Sequence, residues 1–157
     1  LTCMVDASYN TSDNAKSQTG YIFRLGDKND AVFYARSSKQ NCVALSSTEA
    51  EYVAMCEAAT EIVWLRQLLS DMGLRQEEPT VVYEDNLAAI KIAHGAGTHQ
   101  RTKHINVRYH YTRQLIQDGI IEVVHKRTDK MLADLLTKGL PRPQYEKLRD
   151  EILQTYY

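Results

Sequence analysis

The spacing of apolar residues changes character along the chain. Three short apolar runs, Leu1–Asp6, Gly20–Leu25 and Ala31–Arg36, have the length of strands. Gly26-Asp27-Lys28-Asn29-Asp30 between the last two predicts a hairpin turn. From Ser46 the period becomes helical and holds to Met72, where Gly73 stops it. Ser46-Ser47-Thr48-Glu49 has the form of a capping box. Glu51, Met55, Ala58, Ile62, Leu65 and Leu69 fall on one stripe of this helix, so Glu51 is an acid on its core-facing side. Glu49 points about 200° away and is explained by the cap.

The second half alternates. Thr80–Asp85 predicts a strand and Asn86–His94 a short helix ending in Gly95-Ala96-Gly97. Residues 101–118 predict a helix closed by Asp118-Gly119, and Ile120–Lys126 a fifth strand. Lys130–Lys138 predicts a helix stopped by Gly139-Leu140-Pro141, and Pro143–Leu153 a terminal one. The order implies an α/β fold: a mixed five-stranded sheet, three antiparallel strands followed by two in β-α-β context, flanked by helices.

The 157 residues carry no repeat or low-complexity linker, so 1–157 is expected to be one domain. Its first strand starts at Leu1, as expected of a domain cut from a longer polypeptide. No apolar run approaches the roughly 18 residues of a membrane span. Cys3, Cys42 and Cys56 are odd in number and widely spaced, which excludes a disulfide framework and a CxxC zinc site and fits a reducing compartment.

Net charge is −1, but its distribution is uneven: +1 over residues 1–43, −7 over 44–90, +5 over 91–117 and 0 over 118–157. The basic stretch holds Lys91, Arg101, Lys103, Arg108 and Arg113, with His94, His99, His104 and His110 among them. It reads either as a solvated helix face or as a nucleic-acid patch.

The chemistry lies in acids set among apolar residues. Asp6 ends the first predicted strand, on the face of Thr2 and Met4, and Asp85 ends the fourth, on the face of Val81 and Tyr83. The carboxyl ends of strands are where α/β sheets place ligands. Glu51 is the third acid, and Asp134 within Met131-Leu132-Ala133-Asp134-Leu135-Leu136 the fourth. Converging carboxylates at a core edge repel one another unless hard cations lie between them. Oxygen-only ligation selects Mg²⁺ or Mn²⁺ over zinc. Two such ions about 4 Å apart can activate water and stabilise a leaving oxygen in phosphodiester hydrolysis. Taken singly, Asp6 and Asp85 are also explained as turn or cap residues and Glu51 as a helix-dipole partner.

Several blocks occur in one order: Val5-Asp6-Ala7-Ser8, Ala44-Leu45-Ser46-Ser47-Thr48-Glu49-Ala50-Glu51-Tyr52, Glu84-Asp85-Asn86, Arg101-Thr102-Lys103-His104-Ile105 with Arg108-Tyr109-His110, Ala133-Asp134-Leu135-Leu136-Thr137-Lys138, and Leu140-Pro141-Arg142-Pro143. From Asp6 to about Leu148 they resemble the ribonuclease H domain that closes the Pol polyprotein of copia-type long-terminal-repeat retrotransposons.

The resemblance implies a metal-dependent endonuclease that cuts the RNA strand of RNA–DNA hybrids. Asp6, Glu51, Asp85 and Asp134 would be its catalytic acids, holding two Mg²⁺ ions, with Mn²⁺ as a substitute. The products would be a 5′-phosphate and a 3′-hydroxyl. The partners implied are the hybrid and the reverse transcriptase domain of the same polyprotein, in the cytoplasm within virus-like particles. Ser47, Thr48 and Asn86, short polar groups beside the acids, are candidates to read 2′-hydroxyls, with helix capping as the other explanation for Ser47 and Asn86. Arg101, Lys103 and Arg108 are candidates for phosphate contacts, with Ile105, Tyr109 and Leu115 packing inward. His125, nine residues before Asp134, is the nearest counterpart of the histidine that cellular relatives place after their last strand. The reading open beside it is a partly exposed strand residue. His104 and His110, six apart, do not share a helix face and are poor joint zinc ligands. Tyr52, Tyr83 and Tyr109 lie on core faces by periodicity. Two alternatives stay open at this stage: a non-catalytic domain that holds hybrid or supports the polymerase, and another nuclease of the same fold, such as an integrase or resolvase, which the helix-start and Ala-Asp-Leu-Leu-Thr-Lys blocks fit poorly.

Overall fold

The computed structural model describes residues 1–10, 15–26, 31–95 and 103–153, with the side chains of all but 103–107 and 109. Five strands, β1 (Thr2–Ser8), β2 (Gln18–Arg24), β3 (Val32–Lys39), β4 (Thr80–Glu84) and β5 (Ile121–His125), form one sheet in the order β3-β2-β1-β4-β5. β1 pairs antiparallel with β2, and β2 with β3, while β1–β4 and β4–β5 are parallel. This is the predicted mixed α/β sheet. Four helices flank it: α1 (Ser47–Asp71), α2 (Leu87–Ala93), α3 (Lys103–Gln117) and α4 (Arg142–Leu153).

Alternation along β1 divides the core in two. Cys3, Val5 and Ala7 join a large cluster with Ala54, Met55, Ala58, Ile62 and Leu65 of α1, and with residues of α2 and α3. Met4 faces the other way and meets Ile22, Met131, Leu132, Ala133 and Leu148. The predicted stripe of α1 is buried over its whole length, Glu51 included. Tyr52 is fully buried and Tyr83 half-buried, as their periodicity implied.

Two expectations need correction. The first strand ends at Ser8 rather than Asp6, because antiparallel pairing with β2 continues to Ser8↔Gln18. Asp6 therefore lies inside a strand, not at its tip. The helix expected over Lys130–Lys138 is instead two 3-10 turns, Thr128–Lys130 and Leu132–Leu136. Met131 between them is extended (φ −86°, ψ 98°) and wholly buried, and neither turn has a side-chain cap. Anchoring Met131, Leu132 and Ala133 on the sheet takes precedence over continuous α-helical hydrogen bonding. Of the predicted hairpin turn, residues 27–30 lie outside the described residues.

Candidate metal centre

Asp6 sits where the sheet opens. Parallel pairing of β1 with β4 ends at Met4↔Tyr83, two residues before it, whereas pairing with β2 runs past it through Asp6↔Gly20. Its carboxylate is fully buried. Thr137 Oγ1 donates to Oδ2, and Lys138 Nζ lies 2.9 Å from Oδ1. Burial raises the Asp6 pKa to about 6, against the opposing pull of Thr137 and Lys138.

Glu51 is delivered by a firmly held helix start. Ser46 caps α1, its Oγ accepting from Glu49 N at 3.1 Å, while Glu49 Oε2 accepts from Leu45 N at 2.8 Å. The predicted capping box is thus present, with its return bond moved one residue outward. The buried Gln40 amide donates to Ala50 O (2.8 Å) and to Thr19 Oγ1 (3.1 Å), tying this first turn to β2. Burial raises the Glu51 pKa to about 10, reinforced by Glu84, Asp6 and Asp85 and opposed by Lys138.

Asp85 follows β4 directly, is half-buried, and accepts a 2.7 Å hydrogen bond from Thr128 Oγ1. Asp6, Glu51 and Asp85 each bring one carboxylate oxygen within 4.8 Å of the others. Asp134 is buried nearby but is not in that group; it joins through Lys138, whose Nζ is 2.9 Å from both Asp134 Oδ1 and Asp6 Oδ1. The four acids singled out in the sequence therefore divide into a converging trio and a fourth linked through an ammonium.

Four neighbours of the acids were not singled out by the sequence pattern. Glu84 is fully buried beside Asp85, with Asn86 N donating to its Oε1 at 2.9 Å. Burial pushes its pKa up to about 8. Thr128, Thr137 and Lys138 hold the carboxylates. The offsets from Asp134 to Thr137 and Lys138, three and four residues, were visible in the Ala-Asp-Leu-Leu-Thr-Lys block and put all three on one side of a turn.

The other candidates are dispersed. Ser47 is exposed and Thr48 half-buried in the first turn of α1, the turn that carries Glu51. Asn86 is the N-cap of α2, its Oδ1 accepting from Ala88 N and Ala89 N at 3.0 Å, as the capping explanation required. His125 is the exposed last residue of β5 and lines a cavity of about 610 Å³ with Tyr83, Lys126, Arg127 and Lys130. Arg108 donates to Cys42 Sγ at 3.3 Å, and Arg113 to Ile92 O at 3.1 and 3.2 Å, so both guanidinium groups tie α3 to its neighbours. Leu115 is buried. Lys91 and His110 are exposed. Arg101 and His99, and the side chains of Lys103, His104, Ile105 and Tyr109, lie outside the described residues.

The trio suits a hard divalent cation. Its donors are oxygens alone, and Glu51 Oε2 is buried without a hydrogen-bond partner. Packed carboxylates driven toward protonation by burial and mutual repulsion can deprotonate at neutral pH once a cation compensates their charge.

No protein-family model matches the chain. It is 43% identical over 138 residues to the retrovirus-related Pol polyprotein from transposon TNT 1-94 of Nicotiana tabacum, covering 88% of this chain and 10% of that protein. It is 38% identical over 140 residues to the Pol polyprotein from transposon RE1 of Arabidopsis thaliana, covering 89% of this chain and 9% of that one. The chain thus spans about a tenth of the length of these relatives. Among solved structures, LC11-RNase H1 in complex with RNA/DNA hybrid superposes with a TM-score of 0.60 at 14% identity, over 87% of this chain and 92% of that one. The N-terminal RNase H domain of rv2228c from Mycobacterium tuberculosis gives 0.61 at 12% identity, over 96% and 97%. The prototype foamy virus protease-reverse transcriptase gives 0.56 at 12% identity, over 98% of this chain and 20% of that larger one. The chain is a homologue of one segment of plant copia-like retrotransposon Pol polyproteins, and its fold is the ribonuclease H fold.

Proposed function

We propose that this domain is a Mg²⁺-dependent endonuclease that hydrolyses the RNA strand of RNA–DNA hybrids during reverse transcription of a retrotransposon. The observation that carries the reading is the convergence of Asp6, Glu51 and Asp85 at the opening between β1 and β4. Polar residues left in a core edge need a function, and this set has the donor chemistry of a Mg²⁺ site.

Asp6, Glu51 and Asp85, with Asp134 beside them, would hold the ions. Bound Mg²⁺ supplies charge neutralisation at the leaving oxygen and a more acidic water. The protein's part is to fix the carboxylates: Thr137 orients Asp6, Thr128 orients Asp85, and Ser46, Glu49 and Gln40 hold the turn that carries Glu51. Cleavage at the P–O3′ bond would leave a 5′-phosphate and a 3′-hydroxyl. Ser47 and Thr48, in the same turn as Glu51, would meet 2′-hydroxyls of a strand lying over the acids. The hybrid bound in one structural neighbour supports the substrate class, and the reverse transcriptase chain of another supports work beside a polymerase.

The test is a gel assay of labelled RNA presented as RNA–DNA hybrid, as RNA duplex and as single strand, each with Mg²⁺, with Mn²⁺ and with EDTA. The reading predicts metal-dependent cutting of the hybrid alone. Binding of hybrid by folded protein with no cutting in any lane, including lanes with the polymerase added, would replace it with a binding module.

A further inference from the structure

The carboxylates divide by what already occupies them. Both oxygens of Asp6 are engaged, Oδ2 by Thr137 and Oδ1 by Lys138. Asp134 Oδ1 is engaged by the same ammonium at 2.9 Å. Glu51 Oε2, in contrast, is buried without a partner. A single lysine thus sits between the two carboxylates nearest the Leu132–Leu136 turn, while the trio Asp6, Glu51 and Asp85 keeps an unsatisfied oxygen.

From this asymmetry, and resting on the metal-dependent reading above, we infer that Lys138 is a built-in counter-cation of the Asp6–Asp134 pair, which a divalent ion must displace before Asp134 can become a ligand. The two ion positions then fill in order. The first ion enters on the Glu51 and Asp85 side, where Glu51 Oε2 is free and, among the described residues, no ammonium is ion-paired to either acid. The second enters only when Lys138 leaves, so it binds against the strength of two short ion pairs. Geometry permits that exchange. The side chain of Lys138 is 35% exposed, whereas its partners are 0% and 3% exposed, so the lysine can swing toward solvent while both acids stay in place. The residue follows the turn rather than lying within a helix, and its own N–H bonds back to Asp134 O at 3.0 Å, which keeps the ammonium within reach for return.

The arrangement also explains how two buried acids are tolerated in the ion-free protein. Burying two carboxylates at this depth without a counter-charge is costly, and the shared ammonium offsets that cost. Lys138 keeps the site assembled between catalytic cycles, at the expense of affinity for the second ion.

Ion binding tests this without reference to cleavage. Mn²⁺ would be titrated into wild-type protein, Lys138→Met and Lys138→Arg, with free ion counted by electron paramagnetic resonance and heats by calorimetry. Lys138→Met keeps the length of the side chain and removes its charge, while Lys138→Arg keeps the charge. The expected result is one strong and one weak ion in wild type and Lys138→Arg, with the weak ion tightened by about tenfold or more in Lys138→Met. Unchanged or weaker second-ion binding in Lys138→Met overturns the inference while leaving the first ion, and the metal reading, intact. Failure of every variant to bind any ion overturns both together. If Lys138→Met does not fold, wild-type protein decides the matter by the lysine Cε resonances during Mg²⁺ titration. The Lys138 signal moves with the second ion if it is displaced, and a signal unmoved to saturation overturns the inference.

Discussion

Asp6 on β1 stands opposite Gly20 on β2, and the missing side chain of Gly20 is what lets the segment carrying Asp134 reach it. A Cβ at Gly20 would come within 2.6 Å of Thr137 Cγ2, 2.8 Å of Leu136 Cβ and 3.1 Å of Ala133 O. Ser37 Oγ, across β2 on β3, donates to Leu136 O at 2.5 Å and fixes the same segment from the other side. The sheet and the Leu132–Leu136 turn therefore meet at van der Waals contact beside the acids.

Gly20→Ala is accordingly expected to cost about 1–3 kcal/mol of stability, the range for overpacking a filled site. It should also push Thr137 and Lys138 away from Asp6. Urea unfolding and ion titration measure the two effects. A variant as stable as wild type, with unchanged ion affinity, would show that the contact is loose.

Stability of the ion-free domain should fall as pH rises. Asp6, Glu84 and Glu51 titrate at about 6, 8 and 10 in the folded protein, all above the range of free carboxylates. Over this span the folded state holds protons that the unfolded chain has lost, so stabilisation present at acidic pH is lost as pH climbs through these values. Lys138, whose pKa is raised, acts in the same direction at alkaline pH, since its contribution is lost as it deprotonates. Urea midpoints in EDTA should therefore be lower at about pH 8 than at about pH 5. Saturating Mg²⁺ should offset the decline, because ions bind the deprotonated carboxylates and release their protons. A midpoint in EDTA that rises over this interval would contradict the assignment.

Glu84 is predicted to be a source of that decline rather than an exposed ligand. It is fully buried, and its Oε2 has no hydrogen-bond partner. Glu84→Gln preserves the shape and the acceptor for Asn86 N, and removes the charge. The variant should match wild type at about pH 5 and be more stable at about pH 8, because over that span the unfolded wild-type chain gives up the Glu84 proton that the folded state retains. Equal loss of stability for both proteins over that interval, followed by urea unfolding in EDTA, would exclude Glu84 as a contributor.

Most of the architecture was legible because each strand and helix carries its own period. The stripe from Glu51 to Leu69 found the buried face of α1 and placed Glu51 on it. Legibility failed where tertiary contact decides. Met131-Leu132-Ala133-Asp134-Leu135-Leu136 has helical spacing, yet the close approach that Gly20 allows, on a strand more than a hundred residues earlier, leaves it as a 3-10 turn. Glu84 reads as the polar residue at a strand's end, and its full burial comes from tertiary packing that the strand's own period does not encode. Counting charge over 91–117 could not tell Arg108 and Arg113, which bind Cys42 and Ile92 O, from side chains available to a phosphate.

The most direct test of the central claim is single-turnover cleavage of labelled RNA in an RNA–DNA hybrid by wild type and Asp85→Asn in Mg²⁺, with folding of both checked by circular dichroism. Asp85 is half-buried and its bond from Thr128 can be accepted by an asparagine oxygen, so the fold should survive the change. The account predicts metal-dependent cutting by wild type and loss of cutting by about two orders of magnitude or more in a folded Asp85→Asn protein. Cleavage by Asp85→Asn at the wild-type rate would contradict it.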